Sequence, residues 1–149
     1  MNAKTEIAGD LSYFRLSLQS FLNVGHPELA NDQKFIESRS DAAAEAFEQA
    51  FKDEYPVYSR MEIANQVLFE GLLFSKFNTL MKVITEEFAD KITREKSSEF
   101  ALKMMLVCDA LFIEYSLSDD FDEKPEFEKL YNELTGTILI WLENNESGL

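Results

Sequence analysis

Apolar residues recur along this chain at steps of three and four, the spacing that gathers side chains on one face of an α-helix. The densest such stretch is residues 59–90, at the middle of the sequence. Within it Ile63, Ala64, Val67, Leu68, Gly71 and Leu72 share a face, while Phe69, Leu73 and Phe74 lie opposite. A helix apolar over most of its circumference is expected to meet neighbours on two sides. Ser59 and Glu62 have the spacing of a capping box, which starts this helix near Arg60. Ser75 to Asn78 is a polar break, and Asn78 is placed to cap a second helix with Leu80, Met81, Ile84 and Phe88 inward. The two are expected to form a central helical hairpin, with Ile63, Val67, Leu68 and Leu72 among the most buried residues.

The flanking segments carry the same period. Residues 1–9 read as a frayed leader, and 10–149 as a single helical domain. From Leu11 the stripe Leu11, Phe14, Leu18, Phe21 and Leu22 predicts a helix, which Gly25 stops in a left-handed conformation and Pro27 prevents from continuing. Asp32 can cap a short turn holding Phe35 and Ile36, and Asp41 a longer helix that turns Ala43, Ala46, Phe47, Ala50 and Phe51 inward. Asp53 to Ser59 is a connecting loop, because Tyr55 precedes proline and avoids the helical region. Asp90 to Ser97 is a linker or a short helical turn. Ser97 or Ser98 then opens a helix with Phe100, Ala101, Met104, Val107, Cys108, Leu111, Phe112 and Tyr115 inward. After an acidic loop over residues 116–126, Pro125 suits the first position of a last helix, whose inward residues run from Phe127 to Leu142. Gly136 lies inside that pattern and predicts a break or a close helix crossing. The expected fold class is all-α, with about six principal helices.

Composition narrows the class. A length of 149 residues with 46% hydrophobic content and 13 Phe supports an ordered core without staples. The single cysteine excludes an intrachain disulfide, and no uncharged run reaches the length of a membrane span. The expectation is a soluble, cytoplasmic protein. The net charge is −14, and its distribution is uneven: residues 109–149 hold eleven of the 28 acids but only Lys124 and Lys129 among the bases. Such a surface repels phosphate backbones, so direct nucleic-acid binding is not expected, whereas a basic protein partner would be attracted.

Candidate chemistry is sparse. A nucleophilic enzyme needs a base beside its nucleophile, and Cys108, on an apolar stripe, has only His26 in the whole chain to serve it. His26 itself reads as a turn residue. No glycine-rich phosphate loop, Gly-x-Ser-x-Gly elbow or His-Glu-x-x-His pair occurs. Asp119, Asp120, Asp122 and Glu123 offer oxygens to a cation but lack the glycine and ligand spacing of a calcium loop. The helix expected after Asn78 carries Lys82 as its only base, the wrong charge for a DNA-reading helix. No catalytic residue, cofactor or metal is therefore expected. The four acids of residues 119–123 stand either as a solvated connector or as a partner surface. Mutual repulsion should raise their proton affinity slightly.

Three stretches carry a resemblance: Leu11-Ser-Tyr-Phe-Arg-Leu-Ser-Leu with His26-Pro-Glu-Leu-Ala; Ala64-Asn-Gln-Val-Leu-Phe-Glu-Gly-Leu-Leu-Phe-Ser-Lys-Phe-Asn-Thr-Leu; and Tyr131-Asn-Glu-Leu-Thr-Gly-Thr-Ile. Together they span nearly the whole chain. In them the sequence resembles an all-helical domain-of-unknown-function family of Bacteroidetes genomes and their conjugative elements. The resemblance implies a multi-helical fold and a setting near mobile-element genes, and it brings no catalytic or ligand residues. The resulting expectation is a non-enzymatic protein-interaction domain, with an acidic, DNA-mimicking inhibitor of a nucleic-acid-handling enzyme as the alternative.

Overall fold

Seven α-helices and two single 3-10 turns, with no strand among the described residues, make up the computed structural model. It describes the backbone of residues 3–145 and the side chains of residues 11–145. The chain divides into two compact units, Met1–Leu73 and Phe74–Leu149. Its buried apolar residues fall into two clusters, one in each unit. The stretch expected to be a central hairpin is where the units meet in sequence: the helix Val57–Leu68 closes the first and the helix Lys76–Glu87 opens the second.

The N-terminal unit contains α1 (Ala3–Gly25), α2 (Gln33–Lys52) and α3 (Val57–Leu68), with α2 packed against both of the others. Phe14, Leu18 and Leu22 of α1 meet Ile36, Ala43, Ala44 and Phe47 of α2, and Ala64 and Leu68 of α3 complete the cluster with Leu72. Alanines at the contact face let the backbones approach, and Phe14 and Phe47 fill the remaining space edge to face at 6.3 Å. Leu68 and Leu72 are buried as expected, whereas Ile63 and Val67 are only half-buried.

Local signals were partly misplaced. The backbone is helical from Ala3, upstream of the first apolar repeat, so the expected leader lies partly in α1 and partly outside the described residues. Gly25 is the last residue of α1, and the positive φ belongs instead to Gly71, at +76°, three residues past the end of α3. Asp32 does cap, accepting from the Phe35 amide at 3.1 Å, but α2 then runs unbroken through Asp41, which sits exposed inside it. Pro56, extended at φ −67° and ψ 159°, launches α3 at Val57, so Ser59 lies within the first turn and forms no cap. Glu54 adopts φ +66°, and the Tyr55 and Glu54 amides bond back to the Ala50 and Phe51 carbonyls at 3.0 Å each. This is the double bond pattern that ends a helix at a left-handed residue.

The C-terminal unit contains α4 (Lys76–Glu87), α5 (Ser97–Val107), α6 (Asp109–Ile113) and α7 (Glu126–Asn144), with 3-10 turns at Arg94–Lys96 and Phe121–Glu123. Leu80, Val83, Ile84 and Phe88 from α4 share a core with Phe100, Ala101, Met104, Cys108 and Phe112 and with Leu130, Leu134, Ile138 and Leu142 of α7. Ser75 rather than Asn78 caps α4, its hydroxyl accepting from the Asn78 amide at 2.9 Å. α5 opens at Ser97 as expected, and the Ser97 hydroxyl donates to the Thr93 carbonyl at 3.0 Å. The helix expected from Ser97 to Tyr115 is interrupted at Cys108, which separates α5 from α6 and keeps Phe112 on the core side. Gly136 neither breaks α7 nor admits a neighbour, since a Cβ there would meet nothing within 4 Å. Glu126 and Glu128 stand in the first turn of α7, where carboxylates complement the positive end of the helix dipole.

Candidate functional site

The acidic segment is an ordered turn. The amides of Phe121, Glu123 and Lys124 bond to the carbonyls of Ser118, Asp120 and Phe121 at 2.9–3.0 Å, closing the 3-10 turn. Phe121 points inward, 2% exposed, and meets Phe74, Tyr115 and Phe127 edge to face at 5.3, 5.8 and 6.3 Å. Burying one aromatic among four acids fixes the direction in which the others project. Asp120, Asp122 and Glu123 are exposed, whereas Asp119 is half-buried. In the sequence the run reads as uniformly acidic, and the lone Phe121 within it is the signal for the anchor.

The electrostatics of the turn differ from the expectation. The Ser118 hydroxyl donates to Asp120 at 2.7 Å and Lys124 lies 3.7 Å away. The hydrogen bond from Ser118 first, and the Lys124 charge second, hold the Asp120 carboxyl below its usual range. Local donors thus outweigh repulsion there. Beside the turn, Tyr115 donates to Glu133 at 2.8 Å, and burial together with that carboxylate pushes its phenol up to about 12. Tyr131 on α7 places its hydroxyl 2.7 Å from Glu86 and 3.0 Å from Glu87, at the end of α4. Burial and these two carboxylates raise its pKa. One phenolic proton serves two acceptors, tying α4 to α7 at the surface.

The candidate thiol and the imidazole that would serve it as base belong to different units. Cys108 is 1% exposed in the C-terminal unit, and burial pushes its thiol up to about 11, which favours the thiol over the nucleophilic thiolate. His26 belongs to the N-terminal unit and stands in the turn after α1, as its flanks predict, but its ring is buried, 6% exposed. Its Nε2 lies 2.6 Å from the Leu72 carbonyl, its Nδ1 3.4 Å from Glu28, and its ring stacks on Phe21 at 5.9 Å. Desolvation alone would lower its pKa, but the hydrogen bonds to Glu28 and Leu72 and the Glu28 charge together raise it. The imidazole therefore works as a structural clasp between the end of α1 and the segment after α3. Arg39 was missed from sequence: its Nη1 donates to the Glu70 carbonyl at 2.7 Å and the Leu68 carbonyl at 3.2 Å, and its guanidinium lies 4.9 Å from the centre of the Phe35 ring. A cation on the last carbonyls of α3 satisfies acceptors that the helix leaves open. Among the described residues no three His, Cys, Asp or Glu side chains are grouped to hold a metal ion. None of the described helices is long and apolar enough to cross a membrane.

An all-helical domain with an anchored acidic turn is the class that fold and site define. The chain belongs to the family described as Domain of unknown function (DUF1896), which it matches over residues 6–147. Among solved structures it is similar to protein PG0816 from Porphyromonas gingivalis, with a TM-score of 0.91 and 35% sequence identity. That match covers 95% of this chain and 96% of the other. Among curated proteins none matches the chain.

Proposed function

We propose that this domain is a non-enzymatic, cytoplasmic protein-interaction module that presents the acidic turn to a basic protein partner. The observation that carries the reading is the burial of Phe121, which pins the turn and leaves Asp120, Asp122 and Glu123 projecting from a fixed base. Charges held on a rigid support bind with less ordering cost than charges on a free loop. Exposed Glu126 and Glu128 extend the same acidic run into α7. The resemblance to a family borne on conjugative elements supports an accessory role beside mobile-element genes.

The test is capture of a basic partner from cell extract at low and high salt, by the native chain and by the variant Asp119→Asn, Asp120→Asn, Asp122→Asn, Glu123→Gln. Capture should fall steeply with salt, as expected for charges separated by about a Debye length. It should be abolished by the variant, with the melting temperature level or raised. Capture that survives both changes refutes the acidic-turn reading. A charge mimic of nucleic acid is the second reading, favoured by the five exposed carboxylates within residues 120–128. Under mimicry, added duplex DNA competes for the captured partner.

A further inference from the structure

The cations of this acidic chain are mostly engaged. Arg15, Lys52, Lys124 and Lys129 form ion pairs, Arg39 and Arg60 donate to carbonyls, and Lys76, Lys82 and Lys103 lie over aromatic rings. Among the described residues, the side chains of Lys34, Lys91, Arg94 and Lys96 have no such partner. Three of these four fall within six consecutive residues. The fold gathers two of them, Lys91 and Lys96, at one cavity.

That cavity, of about 290 Å³, lies between residues 91–93 with Lys96 and the first two turns of α5. Lys91, Lys96 and Lys103 line it with Thr93, and Glu99 is its one acid. No lysine of the three forms an ion pair with Glu99. Phe100, 5% exposed, supplies an apolar wall and meets Trp141 edge to face at 5.7 Å, while the Lys103 ammonium sits 5.4 Å from the centre of that indole. No side chain caps α5, and Glu99 in its first turn offsets part of the positive end of its dipole.

We propose that this cavity binds a small, soluble, multiply charged phosphate ligand. Three ammonium groups against one carboxylate call for more than one negative charge, which a phosphate or diphosphate group carries and a single carboxylate does not. Lysines act as mobile point charges toward phosphate, and the threonine hydroxyl adds a neutral donor. The volume is at the lower bound of small-ligand sites, which limits the occupant to a compact ester or diphosphate. A nucleic-acid strand is disfavoured, since the surrounding acidic chain repels a long polyanion.

The test uses inorganic pyrophosphate as probe, titrated into the isotopically labelled full chain and followed by amide NMR shifts, with sodium chloride at matched ionic strength as reference. Saturable shifts centred on residues 91–103 are expected, with a dissociation constant in the millimolar range or tighter. The variant Lys91→Ala, Lys96→Ala removes two side chains without partners, so the fold should survive and affinity should fall at least about tenfold. A control of equal charge, Lys34→Ala with Lys129→Ala, should stay within about twofold of the native chain. The proposal is overturned if the shifts are linear or equalled by chloride, if they centre elsewhere, or if both variants lose affinity alike.

Discussion

The two units solve the problem of buried polar groups differently. In the N-terminal unit the side-chain hydrogen bonds that join distant segments run to backbone carbonyls, His26 to Leu72, Arg39 to Leu68 and Glu70, and Gln19 to Ala30 at 2.8 Å, beside one exposed ion pair of Arg15 with Glu37. In the C-terminal unit the buried hydroxyls bond within their own turn, as Thr79 does to Ser75 at 2.8 Å and Ser97 to Thr93 at 3.0 Å. Its distant polar ties, Tyr115 to Glu133 and Tyr131 to Glu86, join side chain to side chain at the rim. A bond to a carbonyl fixes the path of the backbone itself, and losing it strands a group that cannot turn away. Rim contacts between side chains can be exchanged for water at little cost. The N-terminal unit also carries an uncompensated group, the fully buried Ser40 hydroxyl, which has no hydrogen-bond partner.

Apolar truncations should give the largest effects and show that both units rest first on packing. Phe121→Ala, which removes the anchor of the acidic turn, should cost about 3–5 kcal/mol, and Leu68→Ala, 0% exposed, about 2–5 kcal/mol. Denaturant titration measures both. A loss under about 0.5 kcal/mol at Leu68 would overturn the assignment of its helix face.

Next in size is the His26 clasp, which tests whether the N-terminal unit depends on its backbone-directed ties. Its two partners, a carbonyl and a carboxylate, only accept, so the imidazolium with two N–H groups satisfies both and the neutral ring only one. The folded pKa is raised above the ordinary 6.5. Its contribution to stability is therefore fully present below that ordinary value and is lost as pH rises through the folded one. His26→Ala should cost about 1.5–3 kcal/mol at mildly acidic pH and less at pH 8.5. Urea titrations of both proteins at the two pH values decide it, and an equal difference at both would discard the doubly donating clasp.

The smallest effects sharpen the contrast through glycine. Gly71, at φ +76° in the N-terminal unit, should lose about 1–2 kcal/mol as Ala because that conformation strains a side chain. Gly136, helical and open in the C-terminal unit, should gain about 0.5–1 kcal/mol as Ala. Melting temperatures should move in opposite directions, and a loss at Gly136 would reveal a contact that its open surroundings do not show.

What the chain alone determined is what depends on neighbours along it. Apolar spacing fixed the fold class and most inward residues, and Asp32, followed three residues later by Phe35, marked a true cap. The acidic turn could be located as well, because four acids in five residues need only composition to be seen, yet the role of Phe121 as its anchor required the surrounding rings. Caps at Ser59 and Asn78 differ from the structure because several hydroxyl and amide residues stand near each helix start, and backbone direction decides which one reaches an amide; the helix start at Ser97 stands where the sequence places it. Tertiary structure alone decided the division into two cores, the clasp between residues 26 and 72, the guanidinium on the end of α3, and the gathering of Lys91, Lys96 and Lys103 around one cavity. Periodicity reports which face of a helix must leave water, but not which neighbour receives it, since burial stabilises any apolar contact about equally and only the fit between whole helices selects one.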